Sequence, residues 1–425
     1  MLVIQNLRER TGEYIQRLQK KYVKDADTLI AKIILLDDER KVLQKKADDR
    51  LAQQKQMPAK IGALMKSGDQ EEIAKIKNEV ALLKSQSDEF LAQMQSVEKE
   101  IESILVTIPN APSSQVPDGR TAEENETIFS SISILPELAP KALPHWELAT
   151  KYDLIDFEMG NKVAGAGFPF YKGKGARLQR ALINFFLDNA TNAGYREVQP
   201  PIVINSDSGF GTGQLPDKEG QMYHIGIDDL YLIPTAEVPV TNMYRDVMVK
   251  ADQLPIQLTG YTPCFRREAG SYGKDVRGLN RLHQFDKVEI VQIAHPDNSY
   301  DTLETMKDYV TGLLVALQLP FRILRLCGGD MSFASALTYD FEVYSAAQKR
   351  WLEVSSVSNF ESFQANRMKC RFKDTDGKTK LVHTLNGSAL ALPRIVAALL
   401  ENNQLPEGIN IPEVLHPYTG FKVIN

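Results

Sequence analysis

From residue 27 to residue 105, apolar side chains recur at the three- and four-residue spacing of a helix, not at the alternation of a strand. In the second half, Ile73, Ile76, Val80, Leu83, Phe90, Met94, Val97, Ile101 and Ile104 share one register, interrupted only by Ser87. About four sustained heptads of this kind predict a coiled-coil seam. The first half (Leu29, Ile33, Leu36, Leu43, Ala47, Ile61, Leu64) is looser but still helical. Asp27 is the expected N-cap of the first helix; after a break at Met65-Lys66-Ser67-Gly68, Asp69 is that of the return helix. Two antiparallel helices of about 35–40 residues, at 1.5 Å per residue, project roughly 50–60 Å. Ahead of them, residues 1–22 predict one short amphipathic helix that buries Leu7, Tyr14 and Leu18.

The pattern changes after the arm. Residues 108–120 (IPNAPSSQVPDGR) carry three prolines, two serines and a glycine, a linker composition. It divides a helical domain, 1–107, from a body of mixed helices and strands, 121–425. In the body, a helix over Ala176–Ala193 with Gly194 at its C-cap precedes an extended segment ending in Pro200-Pro201. Two strands within Tyr261–Val291 follow, joined by a long loop, Ala269–Arg281, that holds Gly270, Gly273, Gly278, Lys274, Arg277 and Arg281. Arg266 and Glu268 are two apart on the first strand, and Phe285, Lys287 and Glu289 alternate on the second. Each set would share one sheet face.

Composition is that of an ordinary globular chain, 43% hydrophobic and 25% charged, and the net charge of −5 argues against indiscriminate coating of nucleic acid. Cys264, Cys327 and Cys370 are far apart and form no CxxC pair, which fits a reducing compartment and gives no zinc-ribbon signal. The early charges of MLVIQNLRER and the lack of any run of about 18 apolar residues predict a soluble, cytoplasmic protein without a membrane span.

The chemistry-bearing residues leave alternatives open when taken singly. The Tyr261–Val291 hairpin suits a charged nucleotide, with guanidinium for phosphate, ring for base and carboxylate for an amine; a salt-bridged edge hairpin accounts for the same residues equally. Thr235 and Glu237, two apart on a short strand, suit a ligand ammonium or hydroxyl, but Thr-x-Glu is common. Glu353 and Ser356 offer oxygen ligands of the kind Mg²⁺ prefers, or a capped turn with a surface acid. A strand, a glycine turn at Gly387 and an apolar helix with one charge, Arg394, end the series. No GxGxxG follows a strand and no GxxxxGK[ST] loop occurs, so a nucleotide must be held another way. The arm itself could dimerise, or act as a probe with Lys32, Arg40, Lys41, Lys45, Lys46 and Arg50 facing a nucleic acid.

Together these segments resemble class II aminoacyl-tRNA synthetases, and among them the seryl-tRNA synthetase family. The helix into Pro200-Pro201 is similar to motif 1, Phe265-Arg266-Arg267-Glu268 through Glu289 to motif 2, and Asn386–Arg394 to motif 3. Thr235-Ala236-Glu237, the arm with its linker, GTGQLP (Gly211–Pro216) and IPEVLHPY (Ile411–Tyr418) are similar to segments of the seryl family. The resemblance covers essentially the whole chain. It implies an α+β fold: an antiparallel sheet flanked by helices, plus a helical coiled-coil arm (27–105) that recognises the long variable stem of serine tRNA. It also implies a homodimer formed through motif 1, each arm serving the other subunit's site.

The reaction implied is ATP-dependent activation of L-serine to seryl-adenylate, then transfer to tRNA, with selenocysteine tRNA charged as well. Arg266 would hold the α-phosphate and the serine carboxylate, Glu268 the adenine amine, and Phe285 and Arg394 would sandwich the base. Arg267, Val354 and Ser355 join the ATP site; Glu353 and Ser356 would bind Mg²⁺; zinc is not expected. Thr235 and Glu237 would receive the serine amino group and Glu289 and Ser388 would recognise its hydroxyl, with Ala236 and Asn386 also in the serine site. Pro393 stands where the family usually has glycine, which bears on where the motif 3 helix starts. A ligase that charges a carrier protein from the same adenylation site is the alternative, though such relatives typically lack the arm.

Overall fold

The computed structural model describes residues 1–67, 70–217, 219–268 and 277–425. It divides into two compact units, Met1–Pro109 and Asn110–Asn425. The expected Asp69 cap and the loop residues 269–276, with Gly270, Gly273 and Lys274, lie outside the described residues.

In the first unit the single short helix expected over residues 1–22 is two, α1 (Ile4–Glu9) and α2 (Thr11–Lys20). The chain leaves helical geometry at Arg10 (φ −129°, ψ 37°), and Leu7, Tyr14 and Leu18 are buried as the periodicity requires. Helix α3 (Ala26–Ser67) starts one residue before Asp27, so Asp27 sits in the first turn, where its charge meets the positive end of the helix, and does not cap it. Helix α4 (Gln70–Leu105) returns along α3 and buries Ile73, Ile76, Leu83, Val97 and Ile101 on the expected register. Ser87 is buried in that seam at 1% exposure with an unpaired hydroxyl, so the interruption is one of chemistry and not of geometry. On α3 the seam is Ile30, Ile33, Leu36, Leu43, Ala47 and Met57; it passes beside Leu29, which is half-buried.

Five of the six cations expected to face nucleic acid have partners on the unit itself, Arg50 through a hydrogen bond from Nη1 to Gln53 Oε1 at 3.1 Å. Lys32 pairs with Glu100 at 2.8 Å, Arg40 and Lys41 pair with Asp37, and Lys46 lies over the Phe90 ring. Burial alone would raise the Asp37 carboxyl, but Lys41, Arg40 and Arg8 together hold it at about 2.

The second unit is built on one eight-stranded sheet. Its strands in chain order are β1 (Glu126–Ser130), β2 (Arg196–Glu197), β3 (Ile256–Phe265), β4 (Gln284–Ala294), β5 (Phe321–Arg325), β6 (Leu337–Ser345), β7 (Arg350–Asn359) and β8 (His383–Ala391). They lie side by side as β1-β5-β6-β7-β8-β4-β3-β2, antiparallel except for the short β2–β3 pair. Strand alternation separates two faces. Val288, Ile290 and Ala294 of β4, with Tyr339, Phe341 and Val343 of β6, join a large core with α6 (Gly173–Asn192), α8 (Ser299–Ala316) and α9 (Leu392–Asn402). Phe285, Lys287, Glu289 and Val291 occupy the alternate positions on the other face. Two shorter helices, α5 (His145–Lys151) and α7 (Glu237–Asn242), matter below.

Several expectations change here. Helix α6 begins three residues before Ala176, and Gly194 follows its end with φ +96°, the left-handed position that suits glycine after a helix. Residues from Asn110 belong to the larger unit: Asn110 donates to the carbonyls of Ala334 and Phe360, and Ala111 and Val116 are buried. Gly387 is no turn, because β8 runs through it. Pro393 falls in the first turn of α9, where its missing N–H costs nothing. That helix carries a second charge besides Arg394, the wholly buried Glu401. Among the described residues no helix is long and apolar enough to cross a membrane, and the three cysteines are buried and unpaired.

Candidate active site

Buried charge concentrates at β4 and the start of α7, beside uncharged polar residues of β8. Thr235 and Glu237 do not share a strand; Thr235 precedes α7, and its hydroxyl accepts the Glu237 N–H at 3.2 Å, so the segment turns into a helix. Both side chains still come to the same place as Lys287 and Glu289. Lys287 Nζ donates to Thr235 Oγ1 at 2.8 Å and stands 2.5 Å from Glu289 Oε2 as an ion contact. Glu237 accepts from Gln364 Nε2 at 2.6 Å. The Gln364 amide is itself fixed, donating to the Thr212 carbonyl and accepting from Thr384 Oγ1.

Glu237, Lys287 and Glu289 are 7%, 5% and 2% exposed. Burial, then the charge of Glu289, pushes the Glu237 carboxyl up to about 7, against Gln364, Lys287 and Asn386. Burial raises Glu289 also, opposed by Lys287 and Arg266. Two carboxylates share one ammonium, so the cluster lacks one positive charge, and the group it would favour is a ligand cation. Ser388 lies directly opposite Glu289 and Asn386 opposite Val291 in the β4–β8 register, which places both beside the cluster.

A second group surrounds the end of β3. The strand stops at Phe265, and Glu268 has φ +49°, so Arg266 and Glu268 do not share a strand face as their spacing predicts. Glu268 instead turns to pair with Arg281. The Arg266 guanidinium stands 5.2 Å from the Phe285 ring centroid and its Nε donates to the Pro234 carbonyl at 3.4 Å. Arg267 is anchored through its backbone N–H to the Gln221 carbonyl. Arg394 donates from Nε to the Asn280 carbonyl at 3.0 Å and from Nη1 to the Glu353 carbonyl at 2.8 Å. Arg266 therefore covers the Phe285 ring here.

The third group depends on a bulge. A spacing of three would put Glu353 and Ser356 on opposite faces of β7. The register slips at Val354, so that Glu353 faces Glu342 and Ser356 faces Asp340, and the two return to one side. Ser356 Oγ donates to Asp340 Oδ1 at 2.6 Å. Burial, then the charge of Glu353, raises the Asp340 carboxyl well above its usual range. Ser355 points its hydroxyl to the Ser388 carbonyl at 2.6 Å, and Val354 is buried. Among the described residues no three His, Cys, Asp or Glu side chains gather as a metal cage. A half-exposed carboxylate and a hydroxyl nonetheless fit a magnesium ion, which keeps most of its ligands from water and phosphate.

Lys287, Gln364 and Asp340 carry no role in the sequence reading. Lys287 alone had a signal, as the cation between Phe285 and Glu289 on an alternating strand. Ala236 is buried at the α7 N-terminus.

Known proteins are similar to this chain over its whole length. A family model for the seryl-tRNA synthetase N-terminal domain matches residues 1–112, and one for the tRNA synthetase class II core domain (G, H, P, S and T) matches residues 223–403. A serine–tRNA ligase of Salinibacter ruber is 49% identical, covering 99% of this chain and 98% of that protein. One of Chlorobaculum parvum is 45% identical over the whole of both. The crystal structure of seryl-tRNA synthetase from Pyrococcus horikoshii complexed with ATP superposes with a TM-score of 0.91 at 30% identity, covering 100% of this chain and 99% of that one. The N-terminal match removes the ground for the carrier-protein ligase, a reading tied to relatives without the arm. With both domain types present and identity sustained from end to end, the chain belongs to the seryl-tRNA synthetase family.

Proposed function

We propose that the chain is a serine–tRNA ligase, which activates L-serine with ATP and transfers the seryl group to the 3′ end of serine tRNA. The observation that carries the serine site is the cluster of two buried carboxylates, Glu237 and Glu289, around a single lysine. A substrate ammonium supplies the missing charge at Glu237 and Thr235. Glu289 and Ser388 take the hydroxyl, with Asn386 and Ala236 completing the pocket. An analogue without the hydroxyl would leave buried acceptors unpaired and so be rejected strongly.

Arg266, over the Phe285 ring and within electrostatic reach of Glu289, would hold both the serine carboxylate and the α-phosphate. A carboxylate oxygen of serine attacks the α-phosphorus in line; the bond to the bridging oxygen breaks and pyrophosphate leaves. The tRNA terminal hydroxyl then attacks the acyl carbonyl and AMP departs. Both steps depend on positioning and charge neutralisation, and no side-chain nucleophile is required. Adenine would lie on Phe285 with Arg394 on its other side and Glu268 at its amine, once Arg266 swings from the ring to phosphate. Arg267, Val354 and Ser355 line the ATP site. Glu353 and Ser356 would hold magnesium, which supplies charge neutralisation at the phosphates when bound. The arm would grip the long variable stem of the tRNA. A homodimer through α6 and the extended segment that follows it to Pro200-Pro201 would set each arm against the other subunit's site.

Serine-dependent exchange of pyrophosphate into ATP tests the reading. Serine should support exchange and alanine or threonine should not, and Arg266→Ala should lower the rate by about a hundredfold or more. Exchange driven by a different amino acid would refute the serine assignment.

A further inference from the structure

Beneath the ATP-facing groups, α5 and α9 join buried polar residues to which the proposed reaction gives no role. His145 and Glu401 are both 0% exposed. Glu401 Oε1 accepts from His145 Nδ1 at 2.7 Å, from the His145 backbone N–H at 2.9 Å and from Gln348 Nε2 at 3.0 Å, while Oε2 accepts from Ser345 Oγ. On the other side of the ring, Leu279 N–H donates to His145 Nε2 at 2.8 Å. A backbone amide can only donate, so Nε2 carries no proton; the proton of the neutral ring sits on Nδ1 and is given to Glu401. The carboxylate thus fixes both the tilt of the imidazole and the tautomer that leaves Nε2 free to accept.

What the ring holds is the stretch of chain that ends the loop between β3 and β4. Leu279 is pinned by its N–H. The next carbonyl, that of Asn280, accepts Arg394 Nε at 3.0 Å, and Asn280 Nδ2 donates to Gln348 Oε1 at 2.9 Å, back into the same network. Arg281 pairs with Glu268. Gly278 has φ +67°, and a Cβ there would stand 2.3 Å from His145 Nε2. The backbone lies directly on the ring, and only glycine allows that approach.

We propose that His145, oriented by Glu401, is a positioning residue for ATP: it pins Leu279 and so places the Asn280 carbonyl that aims the Arg394 guanidinium. This rests on the assignment of Arg394 to the ATP site. His145 touches no substrate. Its contribution is pre-organisation, so its loss acts on ATP while the cluster around Glu237 and Glu289 keeps its geometry.

Two substitutions separate the halves of the ring. His145→Asn keeps a donor near the Nδ1 position and loses the acceptor; His145→Gln carries an acceptor near the Nε2 position. Pyrophosphate exchange on the full chain, with ATP and serine varied separately, should show KM for ATP raised about tenfold in His145→Asn and largely restored in His145→Gln, with KM for serine within about twofold of wild type. Gly278→Ala leaves the His145–Glu401 pair intact and displaces the loop, and it should reproduce the His145→Asn effect even if His145→Asn folds poorly. Parallel shifts in both KM values, or equal behaviour of the two His145 variants, would overturn the positioning role. Calorimetric binding of ATP without serine separates this from the functional reading. The same ordering of ATP affinities in a protein that exchanges with another amino acid upholds the positioning role and sinks the serine assignment. Equal ATP affinity in wild type, His145→Asn and Gly278→Ala overturns it.

Discussion

Glu237→Gln probes the charge balance of the proposed serine pocket, and its consequences can be worked with signs. Burial and then the charge of Glu289 raise the Glu237 carboxyl from 4.5 to about 7. At pH 7 roughly half the free molecules therefore hold a proton there. An arriving ammonium needs the carboxylate, so binding of serine should release about half a proton at pH 7. Serine affinity should weaken by up to about tenfold per pH unit below 7 and level off above about 8. Folding runs the same linkage in reverse. The folded chain keeps a proton that the unfolded chain loses above 4.5, so this group favours the fold most below pH 4.5. That advantage is lost as the pH rises to about 7, by about 3 kcal/mol in all. Glutamine removes both dependences. The variant should raise KM for serine by about thirtyfold or more, through loss of a buried charge pair, and should gain stability over wild type at pH 8 but not at pH 4.5. Calorimetry of serine binding in two buffers of different ionisation enthalpy counts the protons, and KM for serine across pH 5.5–8.5 gives the profile. A wild-type KM flat over that range, with no proton released at pH 7, would refute the reasoning.

Two further outcomes are expected. Lys287→Met removes the one cation in contact with Glu289 and leaves only the longer-range charge of Arg266, which costs up to about 3–5 kcal/mol. The loss should appear in urea unfolding at pH 8 and shrink as the pH falls, because burial raises the Glu289 carboxyl and favours its uptake of a proton; an unchanged midpoint at pH 8 counts against the ion contact. Deleting residues 27–105 should spare serine-dependent pyrophosphate exchange, because the larger unit has its own core, while tRNA charging falls to background. Normal charging by the truncated chain would remove the arm from tRNA recognition.

The arm was legible because a 3.6-residue period is a local property, and Ile73, Ile76, Leu83, Val97 and Ile101 follow it into the seam. The buried members of β4 were legible through strand alternation. The site was less so, since its geometry is set by partners distant in sequence. Lys287 meets Thr235 across 52 positions and Gln364 meets Glu237 across 127. Arg266 and Glu268 looked like strand neighbours, but the strand stops at Phe265 and a left-handed Glu268 sends the carboxylate to Arg281. Glu353 and Ser356 share a face only because of a register slip against β6, which no periodicity within β7 discloses. The residue roles named from sequence came from family resemblance, not from spacing.

The position of β8 has a consequence for synthesis. It is the last strand of the large sheet to leave the ribosome, yet it lies between β7 and β4 near the middle of the strand order. Until residue 391 emerges, β1-β5-β6-β7 and β4-β3-β2 are two half-sheets, each with an unpaired inner edge. The backbone groups of those edges, around Val291 of β4 and Val357 of β7, are open to pairing with another nascent chain. The newly made protein should therefore depend on chaperones most in the interval before β8 is released, and a chain terminated before β8 should aggregate rather than persist as a smaller folded product.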